Sequence, residues 1–209
     1  MERTNIAMLD KTIPYYSVLM IKDDTKNYPR YNLPEGYTFC MYEDGFEKYW
    51  AEVETSVDEF KSVEAALEYF QKEFLSQKEK LPERCIFVKD ESQRVIATTS
   101  VWDGYDFGKI ATPRIHWVSV HPDHQGKGIA KALLTKAMDV YNSLGFAGKI
   151  YLTTQTWSYK AINIYLHFGF KPYKGPAPEK WKSQRPDFEE ENEKAWEIIF
   201  SKIRDRQEG

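Results

Sequence analysis

The chain has 209 residues, 42% apolar and 29% charged, enough to close a core and too apolar for a disordered tail. A net charge of −3 argues against a phosphate backbone as the main partner, so no nucleic acid is expected. With 11 glycines and 10 prolines, collagen-like and low-complexity designs are excluded.

In chain order, Met1–Asn5 lacks the apolar core of a signal peptide, and no apolar run approaches the ~18 residues that cross a membrane. A cytoplasmic protein with no membrane partner is the expectation. Tyr16–Lys22 and Tyr37–Tyr42 read as strands, separated by a polar loop with Pro29 and Pro34. Phe46, Tyr49, Trp50, Val53, Val57 and Phe60 fall at helical spacing, and Val63, Ala66, Leu67, Phe70 and Phe74 repeat it as a second helix. After Pro82 the period becomes strand-like: Cys85–Lys89, a polar turn, and Arg94–Trp102 form a hairpin. Cys40 and Cys85 both lie in these apolar runs and read as buried, reduced thiols. Arg114–Val120 is apolar on both faces, as suits a central strand.

A helix from about 127 to 144 follows, then a strand over 149–154 and a helix from about 158 to 168. The order β-β-α-α-β-β-β-α-β-α predicts an α/β mixed sheet with helices on both faces. Beyond the loop at 174–178, Trp196, Ile199, Phe200 and Ile203 predict an extra C-terminal helix rather than the competing strand over 196–201.

The stretch 118–134 carries the chemistry. A strand ends at Val120, and a helix begins within a glycine-containing segment, with Ile129, Leu133, Ala137, Tyr141 and Leu144 as its buried stripe. Its first turn presents unpaired N–H groups and about half a positive charge. Gly126 and Gly128 have no Cβ, so an anion can lie against the backbone, and the expected ligand is a phosphate or pyrophosphate. A Walker A loop is excluded because Gly128 follows Lys127, and a dinucleotide fingerprint because position 131 is Lys.

What fits is Gln-x-x-Gly-x-Ala, at Gln125, Gly126, Lys127, Gly128, Ile129 and Ala130. It resembles the pyrophosphate loop of the GCN5-related N-acetyltransferase superfamily. A second stretch supports this: Ala161, Tyr165, Gly169 and Phe170 match the superfamily's Asn-x-x-Ala-x-x-x-Tyr-x-x-x-Gly-Phe, with Ser158 where Asn is usual. The resemblance covers roughly residues 37–173 in topology, with its sharp motifs within 116–173. It divides the chain into a lead-in over 1–35, an acetyltransferase domain over 36–173, and a loop and helix over 174–209 packed on that domain.

The resemblance implies acetyl-CoA as co-substrate and no metal. Backbone amides of Gly126 to Lys131 would hold the pyrophosphate, and Gln125 would shape the loop. Val118 and Val120 would offer backbone groups to the thioester and pantetheine arm, lying where strands 114–120 and 149–154 splay. Ser158 would touch the pantetheine, although a hydroxyl cannot make both bonds of an amide.

Tyr165 is the implied general acid, while Ala161, Ile164, Tyr165 and Phe168 also form a stripe that core packing alone would explain. A phenol near pKa 10 protonates a thiolate near 8.5 at a cost of about 2 kcal/mol. His116, expected on one strand face with Val118 and Val120, stands where arylalkylamine acetyltransferases carry a histidine. It is the candidate base, and a half-buried structural histidine is the competing reading. An ammonium near 10.4 facing a histidine near 6.5 leaves a gap of about 5 kcal/mol, so a water relay or an amine of depressed pKa is needed. Neither cysteine lies near the motif, which counts against an acetyl-enzyme.

His121, Asp123 and His124 read as a solvated loop rather than a metal site. Trp102, Asp103, Tyr105, Asp106 and Trp157 stand at strand ends where an acceptor could enter. The expected reaction is acetyl transfer to a primary amine, on a small molecule or a peptide, by direct attack in a ternary complex. The alternative is a noncatalytic coenzyme A sensor or scaffold, and the chain would be a monomer or homodimer.

Overall fold

The computed structural model describes residues 9–182 and 185–208, with backbone alone at 207 and 208. Met1–Asn5, the start read for a leader, lies outside the described residues. The strands are β1 (Ser17–Lys22), β2 (Thr38–Met41), β3 (Cys85–Lys89), β4 (Val95–Gly104), β5 (Thr112–Val120), β6 (Ile150–Gln155) and β7 (Lys171–Pro172). The helices are α1 (Glu47–Ser56), α2 (Val63–Phe74), α3 (Leu81–Arg84), α4 (Ile129–Ser143), α5 (Tyr159–His167) and α6 (Phe188–Glu208). One mixed sheet of seven strands runs in the order β2-β3-β4-β5-β6-β1-β7, with helices on both faces. The α/β class and the order of the main elements are those expected.

The chain divides into two compact units. One comprises Pro29–Trp102 and Ile115–Phe146. In it β2, β3 and β4 are antiparallel neighbours, with Cys40 opposite Phe87 and Cys85 opposite Ser100. Phe46, Trp50 and Val53 of the α1 region meet Phe70 and Phe74 of α2 and Phe87 of β3 in one buried cluster. Each fully buried aromatic or aliphatic side chain here contributes about 1.5–3 kcal/mol. Ser62 starts α2 by accepting a hydrogen bond from the Ala65 N–H at 3.3 Å. Both thiols are free, and burial raises the pKa of each.

The other unit comprises Met1–Tyr28, Asp103–Arg114 and Ala147–Gly209, as far as these are described. Here β1 pairs antiparallel with β6 from Ser17↔Gln155 to Lys22↔Ile150, and β7 adds Met20↔Pro172. β6 also pairs in parallel with the start of β5, at Arg114↔Tyr151. Along α6, Ala195, Trp196, Ile199 and Ile203 are buried, and the helix packs on β1 and α5. The C-terminal segment is thus a helix, and the strand over 196–201 is excluded.

Some local expectations need correction. α1 ends at Ser56, and Asp58 takes a left-handed φ of 63°, so Val57 and Phe60 stand outside the helix whose stripe they seemed to continue. Pro82 lies in the first turn of α3, a short helix that was not expected and where its missing N–H costs nothing, while β3 spans Cys85–Lys89 as expected. β7 has two residues, too few for any period to register. Phe200 turns partly outward, at 39% exposed, because the stripe of α6 is narrower than its apolar sequence.

Two positions yield tests of this packing. A Cβ on Gly104 would fall 1.7 Å from the hydroxyl of Tyr151, a fully buried ring whose O–H donates to Asp106. Gly104→Ala should cost about 1–3 kcal/mol and lower Tm by several degrees in thermal unfolding. Glu54 of α1 is wholly buried; its Oε2 accepts a 2.8 Å hydrogen bond from the Ser119 hydroxyl, and Oε1 has no hydrogen-bond partner among the described residues. Burial, with Glu59 nearby, holds its carboxyl well above the ordinary range. The folded state therefore keeps the proton more tightly than the unfolded chain, and a stability penalty grows as pH rises above about 4.5. Glu54→Gln should raise Tm by ~2 °C or more at pH 8 and by less at pH 5, read from paired melts.

Candidate active site

The loop between β5 and α4 is built on backbone bonds. Pro122–His124 make one 3₁₀ turn, closed by the His124 N–H on the His121 carbonyl at 2.9 Å. The Gln125 side chain reaches back to donate to the Val120 carbonyl at 2.9 Å, tying the loop to the end of β5. Gly126 and Gly128 follow with φ of 76° and 87°, conformations that cost an L side chain about 1–2 kcal/mol. A Cβ at either position would meet nothing within 4 Å.

Gly128 is the N-cap of α4 and provides no side chain to cap it. The N–H groups of Lys131 and Ala132 turn back to the Gly128 carbonyl, both at 3.1 Å. Lys131 therefore has its amide already engaged, and the open part of the cradle lies at Gly126, Lys127, Gly128, Ile129 and Ala130. The helix starts at Ile129 rather than near Lys127, because both glycines hold the left-handed turn that precedes it. Lys127 donates to the Tyr37 hydroxyl at 3.1 Å, and that hydroxyl lies 2.9 Å from His124 Nδ1. Burial is the main cause that lowers the pKa of His124 and of His121, with the cations Lys127 and Arg94 respectively adding to it. His121 and His124 are thus parts of a hydrogen-bonded loop, and among the described residues no group of three or more His, Cys, Asp or Glu could hold a metal.

β5 departs from simple alternation. Trp117 has φ of 53°, an outlier for a bulky residue inside a strand. The alternation that would align His116 with Val118 and Val120 does not run through it; Ser119 and Val120 are buried in succession, while His116 and Val118 are half-buried. The His116 carbonyl accepts from the Thr99 and Ser100 hydroxyls at 3.4 and 3.3 Å. Its ring sits between Phe74 and Trp117, with Nε2 3.4 Å from the Glu73 carboxylate. Glu73 and the Glu54–Ser119 pair were not anticipated. Glu54 left a visible signal, a carboxylate four residues after Trp50 on an apolar helix face, whereas nothing marked Glu73.

In the other unit, Tyr165 of α5 is 7% exposed; its ring lies 6.3 Å from Phe170 and its carbonyl accepts the Phe170 N–H at 3.0 Å. Ser158 is buried where its 3₁₀ turn enters α5. Of the residues read as an acceptor mouth, Tyr105 is exposed, while Asp106 and Trp157 make internal bonds. Asp106 accepts from the Tyr151 hydroxyl and from Trp181 Nε1, and Trp157 Nε1 donates to the Ile13 carbonyl at 2.8 Å. Trp102 is a core residue.

The family model of the acetyltransferase (GNAT) family matches residues 49–170, more than half of the chain and both motif stretches. No curated protein matches the sequence. Among solved structures, a GCN5-related N-acetyltransferase from Sphaerobacter thermophilus is 23% identical with a TM-score of 0.58, over 75% of this chain and 48% of that one. A GNAT-family acetyltransferase from Colwellia psychrerythraea is 13% identical with a TM-score of 0.55, over 77% and 54%. A tandem GNAT protein of clavulanic acid biosynthesis is 16% identical with a TM-score of 0.55, over 79% and 52%. The chain thus spans about half the length of these relatives, and at such identity the likeness shows the fold. With the motifs at 125–130 and 158–170 inside the matched span, the chain belongs to the acetyltransferase (GNAT) family.

Proposed function

We propose that this protein transfers the acetyl group of acetyl-CoA to a primary amine by direct attack in a ternary complex. The observation that carries this reading is the start of α4: two left-handed glycines with open space at their Cβ positions, ahead of a helix with no side-chain cap. Such a surface suits a pyrophosphate, whose oxygens complete the first-turn N–H groups and meet the positive end of the helix. The backbone of Gly126, Lys127, Gly128, Ile129 and Ala130 holds it. Gln125 fixes the loop through Val120, and the backbone at Val118 and Val120 lines the pantetheine arm. Ser158 contributes a single hydroxyl contact.

Acetyl-CoA supplies the thioester carbonyl that an amine can attack. The chain's own work is to orient the amine and handle two protons. Glu73, 3.4 Å from His116 Nε2, favours the tautomer with hydrogen on that nitrogen, which leaves Nδ1 as the basic position. His116 takes the proton of the amine there, directly or through a water, and Tyr165 gives one to the departing thiolate. Each is worth about 10²–10⁴ in rate where the role holds.

Calorimetry with coenzyme A should show binding that Gly128→Val weakens at least tenfold, with the loss of open space and backbone freedom at that position. Tyr165→Phe should lower kcat by about 10² in a thiol-release assay while leaving coenzyme A affinity nearly unchanged. Unchanged turnover would remove Tyr165 from the proton transfer. Tight coenzyme A binding with no amine acetylated would favour a sensor over an enzyme.

A further inference from the structure

A cavity of about 130 Å³ lies between α5 and α6, lined by Tyr159, Lys160, Asn163, Ile203 and Arg206. All five belong to one compact unit of the chain. Tyr159, Lys160 and Asn163 are half-buried, Ile203 forms a buried apolar wall, and Arg206 is exposed. Pockets that enclose a whole drug-sized ligand measure roughly 300–1,000 Å³, so this one suits a charged head group.

Two cations converge on this space from different helices, and like charges held together repel. Burial is the main cause that lowers the pKa of Lys160; Arg206 adds to it, while Asp10 opposes both. Asp10 is itself shared. It accepts from the Thr12 N–H at 3.1 Å and from the Thr12 hydroxyl, and it lies 3.6 Å from Lys202 Nζ. In a chain of net charge −3, this wall carries two cations and no acid among the described residues that line it.

The remaining groups suit an oxyanion. The Asn163 amide and the Tyr159 hydroxyl are neutral donors for oxygens that the two cations leave over. Arginine presents a planar fork of N–H groups and lysine a compact ammonium, a pair whose double charge matches a dianion. The position is separate from the acetyl-transfer machinery. At about 100° per residue, Tyr159, Lys160 and Asn163 lie about 120–160° around α5 from Tyr165. None of the five residues belongs to the cradle at 126–130.

We propose that this cavity is a second, noncatalytic site that binds a phosphoryl dianion between Lys160 and Arg206, as free phosphate or as the phosphate of a small ester. The bound group replaces a repulsion by two charge-assisted hydrogen bonds, and Asn163 and Tyr159 donate to its other oxygens. Because α5 and α6 each supply a cation, the ligand bridges the C-terminal helix to α5.

The test is calorimetry on the full chain with inorganic phosphate, glycerol 3-phosphate and, at equal ionic strength, acetate. Both phosphates should bind at least tenfold more tightly than acetate. Tighter binding of the ester assigns the site to a phosphomonoester, and tighter binding of inorganic phosphate assigns it to the free ion. Lys160→Gln and Arg206→Gln should each weaken phosphate binding at least fivefold and leave coenzyme A affinity unchanged. Gly128→Val, which alters the cradle, should leave phosphate binding as it is. Absence of heat with either phosphate, acetate binding as tightly, or binding that survives both substitutions overturns the inference. So does phosphate binding lost in Gly128→Val, or coenzyme A affinity lost in Lys160→Gln or Arg206→Gln, since the anion would then sit in the cofactor's own site.

Discussion

The start of α4 sets the terms for the rest of the site. A helix cannot satisfy its own first N–H groups, and most helices enlist Ser, Thr, Asp or Asn to do so. Here Gly128 occupies the cap position and has nothing to offer. Only part of the demand is met internally, by the bifurcated turn onto the Gly128 carbonyl. A tightly packed loop would have closed the remainder with side chains. This loop instead fixes its own shape from the outside, through Gln125 on Val120 and Lys127 and His124 on Tyr37, leaving the inner face to backbone. Donors held in place by such bonds would cost little ordering on binding an anion.

The second constraint is the left-handed Trp117. A tryptophan there costs about 1–2 kcal/mol, and the neighbours supply what holds it. One residue earlier, two hydroxyls of β4 grip the His116 carbonyl. Two residues later, Ser119 is hydrogen-bonded to the buried Glu54. Helix α1 thus meets the strand twice, at Trp50–Trp117 and Glu54–Ser119, with about 6 Å between the contacts on each element. Matched spacing on helix and strand makes the break in alternation a fixed feature, with half-buried His116 before it and the buried pair Ser119 and Val120 after it.

How far the sequence could be read follows from the range of each interaction. Elements with long apolar periods, such as α2 with its Ser62 cap, were legible because pattern and cap agree within one segment. The glycine loop was legible for the same reason: the phosphate argument needs only the backbone of adjacent residues. The end of α1 was not, because Val57 and Phe60 continue the helical spacing while Asp58 breaks the chain direction. Nor was the irregularity in β5, which depends on partners 17 and 65 residues away in sequence. Glu73 gave no signal at all, since a glutamate on an exposed-looking helix position acquires meaning only when His116 is placed against it.

Family membership alone leaves the acceptor open, because a shared fold does not fix what enters the site. The backbone cradle is generic by construction, since any residue with an N–H can build it. Side chains distinguish one member from another, and around Trp117 of β5 these are aromatic rings, with the Glu73 carboxylate facing His116 beside them. The placement of these groups follows from α1 ending at Ser56, since one further helical turn would carry Phe60 away from Tyr69 and Trp117.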